Sequence, residues 1–377
     1  MSLTVCLLAN TLSYPNGGGH LWVYLNWALG LRALGCDVIW LEAADPHAPS
    51  QQIRTWATNL RHHLEPYGMG TRVALCSWTH EPLVRDVAES CLDVMAAAEA
   101  HLLLNLNYKA PATVVRLFQR TALIDIDPGL LQVWMSLGWV RVAPHDVHFT
   151  TGETVGRPGA HFPDGGREWQ YTPPCVALDW WPPQQTTLDA PFTTVSHWYQ
   201  EEWAEDAGEI YRNDKRSGFL PFLDLPKHTC QPLELALSMG PDEDEERLEL
   251  QTRGWGVQDA YAVAPTPRDY QRYIWSSRGE FSCVKPSCIR LQNAWISDRT
   301  LCYLASGKPA VVQHTGPSRF LPDAAGLFRF LDIGQAAQCL DRVARDYERQ
   351  SELARALAEE FFDARKVTGS VLERALA

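Results

Sequence analysis

The start of the chain contains a complete strand–helix–strand unit, and such a unit permits few folds. Leu3 to Ala9 is a continuous apolar run with the length of a buried strand. The polar loop NTLSYPNGGGH follows, and then a helix whose leucines recur at three- and four-residue spacing until Gly35. Val38 to Leu41 is a second apolar run, which ends at Glu42. Two such strands joined by a helix predict a parallel pair with a right-handed crossover.

Apolar runs and helical spacing continue to alternate through the first half of the chain. We predict a helix around Val87 to Ala100, a strand at Leu102 to Leu106, a helix at Ala112 to Gln119, a strand at Ala122 to Ile126, a helix at Leu130 to Leu137 and a strand near Val147 to Thr151. A stretch rich in proline and glycine interrupts the pattern between Arg157 and Pro191. This alternation predicts a doubly wound sheet with its ligand site at the carboxyl ends of the strands.

A second alternating series begins at Phe192. We predict strands near Leu233 to Leu237, Ala260 to Ala264, Phe281 to Val284 and Leu327 to Leu331, and helices at Asp242 to Leu250, Pro267 to Trp275, Gly334 to Arg349 and Ser351 to Arg365. A chain of 377 residues has enough material for two cores. The predicted fold class is therefore α/β, with two Rossmann-like domains.

Composition and charge narrow the class of partner and the expected compartment. The formal net charge is −12, which disfavours nucleic acid or an anionic membrane surface as the main partner. No run of about 18 apolar residues occurs, so we predict no transmembrane segment, and MSLTVCLLAN lacks the basic start of a signal peptide. Ten cysteines without a CxxC pair favour free thiols, and we expect a cytoplasmic protein.

The stretch Ser297 to Phe330 has the pattern of a binding site for an anion. Ser297 or Asp298 is a candidate N-cap for a helix that Gly307 ends, and the apolar run Ala310 to Val312 follows as a buried strand. Free N–H groups at a helix N-terminus attract anions, and an arginine there adds a forked donor. The candidate ligands of this site are Ser297, Asp298, Arg299 and Thr300.

The glycines Gly17, Gly18 and Gly19 lie after the first predicted strand and before the first helix, at the expected ligand edge. A dinucleotide-binding loop needs a third glycine where Trp22 stands, so a nicotinamide or flavin is disfavoured and we predict no cofactor. One interpretation is a tight loop that binds nothing. We favour the other, in which the bare backbone of Gly18 and Gly19 approaches a ligand held between the domains.

Two long segments resemble one family. They are NGGGHLWVYLNWALGLRALGCDVIWLE and GEFSCVKPSCIRLQNAWISDRTLCYLASGKPAVV. Both are similar to segments of bacterial glycosyltransferases of the retaining, glycogen-synthase-like superfamily, in a divergent branch. The resemblance implies the GT-B architecture, in which two Rossmann-like domains face each other across a cleft. It departs from the family at Cys302, which stands where the second of two family glutamates is expected.

The resemblance also implies substrates and a domain organisation. The donor would be a nucleotide-diphosphate sugar, whose diphosphate would bind to Arg299 and the N–H groups of the helix start at Ser297. The acceptor would be a small molecule or a glycan. Residues 1–178 would form the acceptor domain, 179–191 the linker and 192–350 the donor domain, and 351–377 would be a helix that crosses back. Isolated acids and scattered cysteines offer no metal ligand set, so we expect metal-independent transfer.

Five further residues are candidates for the chemistry. His20 would act as general base on the acceptor hydroxyl, or would only hydrogen-bond within its loop. Asp125 would hold the acceptor or orient His20, although acids at strand ends also cap helices. Glu280 would serve the sugar. Lys215 and Lys285 would bind the leaving diphosphate, or would be ordinary surface charges.

Two other functions stay open at this point. A nucleotide-sugar epimerase-like enzyme on the same fold would need no separate acceptor. A catalytically silent nucleotide-sugar-binding protein would suit Cys302 in place of a glutamate.

Overall fold

The computed structural model describes residues 3–79, 81–240 and 243–377. The strands of the first half are β1 (Thr4–Leu8), β2 (Asp37–Ala44), β3 (Val73–Ser77), β4 (Leu102–Asn105), β5 (Thr121–Asp125), β6 (Val147–Thr150) and β7 (Gln170–Tyr171). Its helices are α1 (Gly18–Ala33), α2 (Ser50–Leu64), α3 (Arg85–Ala88), α4 (Val94–Ala97), α5 (Ala112–Val115) and α6 (Leu130–Ser136).

The first sheet has the strand order β3-β2-β1-β4-β5-β6-β7, and every pair in it is parallel. The central strand β1 pairs Thr4 with Asp37 on one side and Val5 with Leu102 on the other. The order reverses beside β1, so the loops that follow β1 and β4 diverge there and leave a crevice at the carboxyl edge of the sheet.

The second half repeats the plan. Its strands are β8 (Phe192–His197), β9 (Trp203–Asp206), β10 (Glu209–Arg212), β11 (Leu233–Ser238), β12 (Gly256–Asp259), β13 (Gly279–Ser282), β14 (Ala310–Gln313), β15 (Ala324–Ala325) and β16 (Leu327–Phe330). Its helices are α7 (Lys215–Phe219), α8 (Asp244–Thr252), α9 (Ala260–Val263), α10 (Pro267–Ser276), α11 (Pro286–Arg290), α12 (Asp298–Ala305), α13 (Ile333–Arg345), α14 (Tyr347–Phe361) and α15 (Ala364–Leu376). Short 3-10 turns occur at Glu65–Tyr67, Leu220–Phe222 and Leu225–Lys227.

The second sheet has the order β12-β11-β8-β13-β14-β16-β15, and only its edge pair β15–β16 is antiparallel. Strands β9 and β10 form a separate hairpin that packs on α6 of the first half. The parallel first sheet and the mostly parallel second sheet confirm the predicted α/β class with two Rossmann-like units. The bounds proposed for the acceptor domain, linker and donor domain remain predictions.

Two predicted elements are wrong, and helix capping explains both. The predicted strand at Ala260 to Ala264 is the helix α9, because the Asp259 carboxylate accepts a hydrogen bond from Tyr261 N at 2.9 Å and caps it. The C-terminal segment, where we predict two helices, contains the three helices α13, α14 and α15. Asp363 begins the third by accepting from Arg365 N at 3.0 Å.

Other differences concern breaks and omissions. The helix predicted around Val87 to Ala100 is two short helices, the second capped by the Asp93 side chain. The sequence pattern did not predict α2 or β3. Of the helix predicted from Asp242, the first residue lies outside the described residues, and α8 begins at Asp244.

Helix α1 is enclosed on all sides, as the absence of a polar face in GGHLWVYLNWALGLRA requires. Trp22 Nε1 donates to Pro267 O of the second half at 2.8 Å. Asn26 Oδ1 accepts from Ala177 N at 3.0 Å. Gly30 lies against the start of α15, where an added Cβ would be 2.6 Å from Ala364 O. One apolar core therefore runs from β1 through α1 into α10, α12 and the C-terminal helices.

We expect Gly30→Ala to destabilise the protein, because a methyl group at this position would push the α15 backbone away from α1. The expected loss is about 1–3 kcal/mol in the free energy of unfolding, measured by urea denaturation. Gly369→Ala in α15 is the matched control, since its added Cβ would meet only Leu34 at 3.7 Å. That variant should be unchanged or slightly more stable. Equal effects of the two substitutions would contradict the close contact between α1 and α15.

Candidate active site

A cavity of about 250 Å³ lies between the N-terminus of α1 and the carboxyl ends of β8 and β11. Seven predicted site residues line it: Gly18, Gly19, His20, Lys215, Ser297, Asp298 and Arg299. Four others do not: Asp125, Glu280, Lys285 and Thr300. The structure thus brings the glycine loop and the start of α12, far apart in sequence, to one site.

The glycines permit a close approach, and the neighbouring backbone belongs to the second half of the chain. A Cβ added to Gly18 would lie 2.3 Å from Thr266 O, and one added to Gly19 would lie 2.5 Å from Tyr270 Cε2. These two residues therefore allow α1 to contact α10 where the cavity closes. Their predicted part in donor binding remains a prediction.

The loop before α1 is held by Glu42, whose role the sequence did not reveal. The buried carboxylate accepts from Thr11 N at 2.9 and 3.0 Å, from Leu12 N at 3.2 Å and from Trp40 Nε1 at 2.8 Å. The Thr11 hydroxyl donates to it as well. Glu42 thus anchors the loop from the end of β2, where a dinucleotide-binding fold places a ribose ligand.

His20 is half-buried on the α1 side of the cavity. Its Nε2 lies 2.6 Å from Asn10 O, so this nitrogen carries the proton and donates it to the carbonyl. Burial lowers the pKa of the imidazole. A neutral ring with Nε2 protonated keeps Nδ1 as a proton acceptor, which is the form that a general base needs.

Lys215 is the cation on the opposite wall. Its Nζ donates to Cys283 O at 2.8 Å, and the ammonium lies 6.0 Å from the ring centre of Trp295. Burial, and then the neighbouring charge of Arg299, lower the pKa of Lys215 to about 7. No carboxylate in the described part of the chain forms an ion pair with Lys215, so its ammonium form is suited to bind an incoming anion.

Arg299 is committed to the protein. Its Nε donates to Glu280 Oε1 at 2.8 Å, its Nη1 to Val195 O at 3.0 Å and its Nη2 to Ser282 Oγ at 2.6 Å. Glu280 is fully buried, so this is an interior ion pair that joins α12 to β13 and β8. The predicted fork from Arg299 to a phosphate would have to compete with these bonds, and the geometry favours a structural role for the pair.

The start of α12 has the predicted cap. Ser297 Oγ accepts from Arg299 N at 3.3 Å, and burial raises the pKa of Asp298 in the cavity wall. Thr300 is buried within the helix. Cys302 is also buried, with its Sγ 3.9 Å from Asn26 Nδ2 of α1. The position that carries a glutamate in the resembled family therefore contributes here to the contact between α12 and α1.

Asp125 and Lys285 are engaged elsewhere. The buried Asp125 carboxylate accepts from Gln132 Nε2 at 2.7 Å, Thr150 Oγ1 at 2.9 Å and Asp127 N at 3.0 Å. Burial raises its pKa to about 7. These bonds favour a structural role for Asp125.

Lys285 Nζ forms an ion pair with Glu202 at 2.8 Å, and this partner raises its pKa against the opposing effect of burial. The predicted roles of Asp125 in catalysis and of Lys285 in diphosphate binding stay predictions.

Sequence reasoning missed several residues of the cavity. They are Ser196 and His197 at the end of β8, Ser238 at the end of β11, Tyr270 of α10 and Trp295 before α12. The signal was present in part, because polar residues end the apolar strands FTTVSH and LELALS. The carboxyl ends of central strands are where ligands bind in such sheets.

Residues 3–79, 81–240 and 243–377 contain neither a cluster of metal ligands nor a membrane-spanning helix. No group of three or more histidine, cysteine, aspartate or glutamate side chains is placed there to hold a metal ion. Within the same ranges, no helix has the length and apolar character needed to span a bilayer.

The fold is similar to that of known glycosyltransferases, whereas the sequence is not. No protein-family model matches the chain, and neither does any curated protein. HepE of Anabaena, solved with UDP and glucose, aligns with a TM-score of 0.60 at 12% identity over 99% of both chains. Sucrose-phosphate synthase of Thermosynechococcus elongatus gives 0.56 at 12% over 99% of both. An alpha-glucosyltransferase in complex with UDP gives 0.61 at 10% over 100% of both.

These alignments cover both halves of the chain and the arrangement between them. They confirm the predicted fold, so the protein has the GT-B architecture. At 10–12% identity the likeness concerns the fold alone.

We expect Arg299→Ala to lower the free energy of unfolding by about 3–5 kcal/mol, because it leaves the Glu280 carboxylate buried and unpaired. The double variant Arg299→Ala with Glu280→Gln should lose less, since the orphaned charge is gone. Chemical denaturation of the three proteins measures both effects. Near-normal stability of Arg299→Ala, together with lost nucleotide affinity, would instead assign Arg299 to phosphate binding.

Binding of a nucleoside diphosphate should depend on pH through Lys215. A bound diphosphate would raise the pKa of Lys215 above the value of about 7 that it has in the free protein. The terminal phosphate is already ionised above pH 7, so we expect affinity to fall as pH rises from 7, by up to about tenfold per pH unit, because Lys215 loses its charge. Calorimetric titration with UDP, GDP, dTDP and ADP would show which nucleobase the site prefers and would detect the proton that Lys215 takes up on binding. Lys215→Arg stays charged, so its affinity should be flat above pH 7; a slope equal to that of the wild type would exclude Lys215.

Proposed function

We propose that the protein is a glycosyltransferase that moves a sugar from a nucleotide-diphosphate donor to an acceptor, without a metal ion. The observation that carries this proposal is the cavity itself. On one wall lie Lys215 and the capped start of α12, and on the other lie the glycine loop and His20. An anion-binding wall facing a neutral histidine across an interdomain cavity suits group transfer from an anionic leaving group.

The donor would bind to the second half of the chain. Charge that develops on the departing diphosphate would be met by the ammonium of Lys215 and by N–H groups at the start of α12. These groups are held in place before the reaction, Lys215 by Cys283 O and the helix by the ion pair of Arg299. Under this proposal residues 192–350 are the donor domain and 1–178 the acceptor domain, joined by 179–191, and 351–377 returns to the acceptor domain.

The acceptor would approach from the α1 side. Nδ1 of His20 would take the proton of its hydroxyl as the new bond to the sugar forms, and the nucleoside diphosphate would leave. Because HepE and the alpha-glucosyltransferase were solved with UDP or UDP-glucose, UDP-glucose is the first donor to test.

We expect release of a nucleoside diphosphate from one sugar nucleotide to require an added acceptor and to persist in EDTA. A screen of UDP-, GDP-, dTDP- and ADP-sugars with glycan and small-molecule acceptors would measure it. Turnover of the donor to an isomer without an acceptor would support an epimerase instead. Binding without turnover would support a silent binding protein. Loss of transfer on chelation, restored by Mg²⁺ or Mn²⁺, would contradict metal independence.

His20→Ala should lower kcat by roughly 10²-fold or more, the range of a general base, while donor affinity changes little. His63→Ala is the matched control. His63 is another half-buried histidine whose Nε2 lies 3.3 Å from a loop carbonyl, that of Pro15, and it does not line the cavity. A near-normal kcat in His20→Ala would reduce His20 to a loop residue.

A further inference from the structure

A pair of buried cations lies at the amino edge of the second sheet, opposite the cavity described above. Arg278 directly precedes β13, Lys308 lies two residues before the start of β14, and the register of these strands pairs Glu280 with Ala310. Extending that register by two residues towards the N-terminus of each strand places Arg278 beside Lys308. Their exposed fractions are 4% and 0%.

Neither cation has a carboxylate partner within the described residues. Arg278 donates from Nη1 to Leu188 O at 2.8 Å, and its guanidinium lies 4.4 Å from the ring centre of Tyr347. Its Nε has no hydrogen-bond partner in the described part of the chain, and the same holds for Lys308 Nζ. Glu280, the acid that shares the face of β13 with Arg278, is paired with Arg299 instead.

Nearby donors are unpaired as well. Ser306 Oγ, two residues before Lys308, and Trp275 Nε1, three residues before Arg278, are buried without an acceptor in residues 3–79, 81–240 and 243–377. Two adjacent like charges in a buried position repel each other and lose their hydration. Burial, and then the Arg278 charge, lower the pKa of Lys308 to about 8, so the ammonium form persists at neutral pH.

We propose that Arg278 and Lys308 bind a small inorganic anion such as chloride. One negative charge between the two cations compensates both and accepts hydrogen bonds from Lys308 Nζ and Arg278 Nε. Because Arg278 also holds Leu188 O, the anion ties the segment between the two sheets to the edge of the second sheet. It lies at the opposite end of the strands from the proposed sugar site and does not depend on the proposed function.

Thermal unfolding of the full chain tests the proposal at neutral pH and constant ionic strength, with sodium gluconate replaced stepwise by sodium chloride or bromide. Gluconate is too large for a buried site. We expect Tm to rise with the logarithm of chloride concentration, by about 2 °C for each tenfold above the Kd. Lys308→Met should lose this rise, and in gluconate it should unfold at a higher Tm than the wild type, because an uncompensated charge has been removed.

Lys227→Met is the control for the change in net charge. Lys227 is exposed and pairs with Asp224 on the surface, so this variant should keep the chloride response. Crystals of the wild type in bromide should show an anomalous peak in contact with Lys308 Nζ, a readout that does not depend on whether Lys308→Met folds. A chloride response equal in the wild type and Lys308→Met, or no bromide at this position, would overturn the proposal.

Discussion

The close packing of α1 between the two sheets is the constraint on which the rest of this structure depends. A helix without a polar face must be covered on every side, and its own sheet covers only one. Helices α10, α12 and α15 supply the remaining cover, and glycines at 18, 19 and 30 let α10 and α15 approach closely. Since the N-terminus of α1 is also one wall of the cavity, the packing that joins the two halves sets the shape of the site.

The opposite wall is fixed by charge. The ion pair of Arg299 with Glu280 satisfies the guanidinium inside the protein and holds α12 against β13 and β8. Lys215, beside the cavity, donates to the carbonyl of Cys283 and lies over the ring of Trp295, and no carboxylate of the described residues forms an ion pair with it. The two cations therefore have different roles. Arg299 makes the wall rigid, whereas Lys215 stays available for a ligand. Burial, and then the charge of Arg299, lower the pKa of Lys215 to about 7.

Local patterns in the sequence were sufficient to predict two Rossmann-like units. That these units face each other, so that two distant segments meet, was expected from the family resemblance. Alternating strands and helices define the sheets, and the carboxyl ends of central strands define the site. Partners of individual side chains were not predictable. Arg299 carries the pattern of a phosphate ligand, and only the folded chain shows that Glu280 lies against it. Likewise, the sequence around Gly18 is typical of a ligand-binding loop, and only the structure shows that a Cβ added to Gly18 would lie 2.3 Å from Thr266 O. Ala260 begins an apolar run of strand type that one capping aspartate turns into a helix.

Buried charges are paired differently at the two ends of the strands in the second sheet. At β13, Glu280 and Arg278 lie two residues apart and so share one face of the strand. A carboxylate in this position could have paired with either neighbouring cation, and it pairs with Arg299 towards the carboxyl edge. The pairing that makes the cavity wall rigid therefore leaves Arg278 and Lys308, at the amino ends of the strands, without a carboxylate partner among the described residues. An anion bound there would compensate the charges of Arg278 and Lys308. The ion pair of Glu280 with Arg299 therefore accounts both for the rigid wall at the proposed donor site and for the proposed anion site at the other end of the strands.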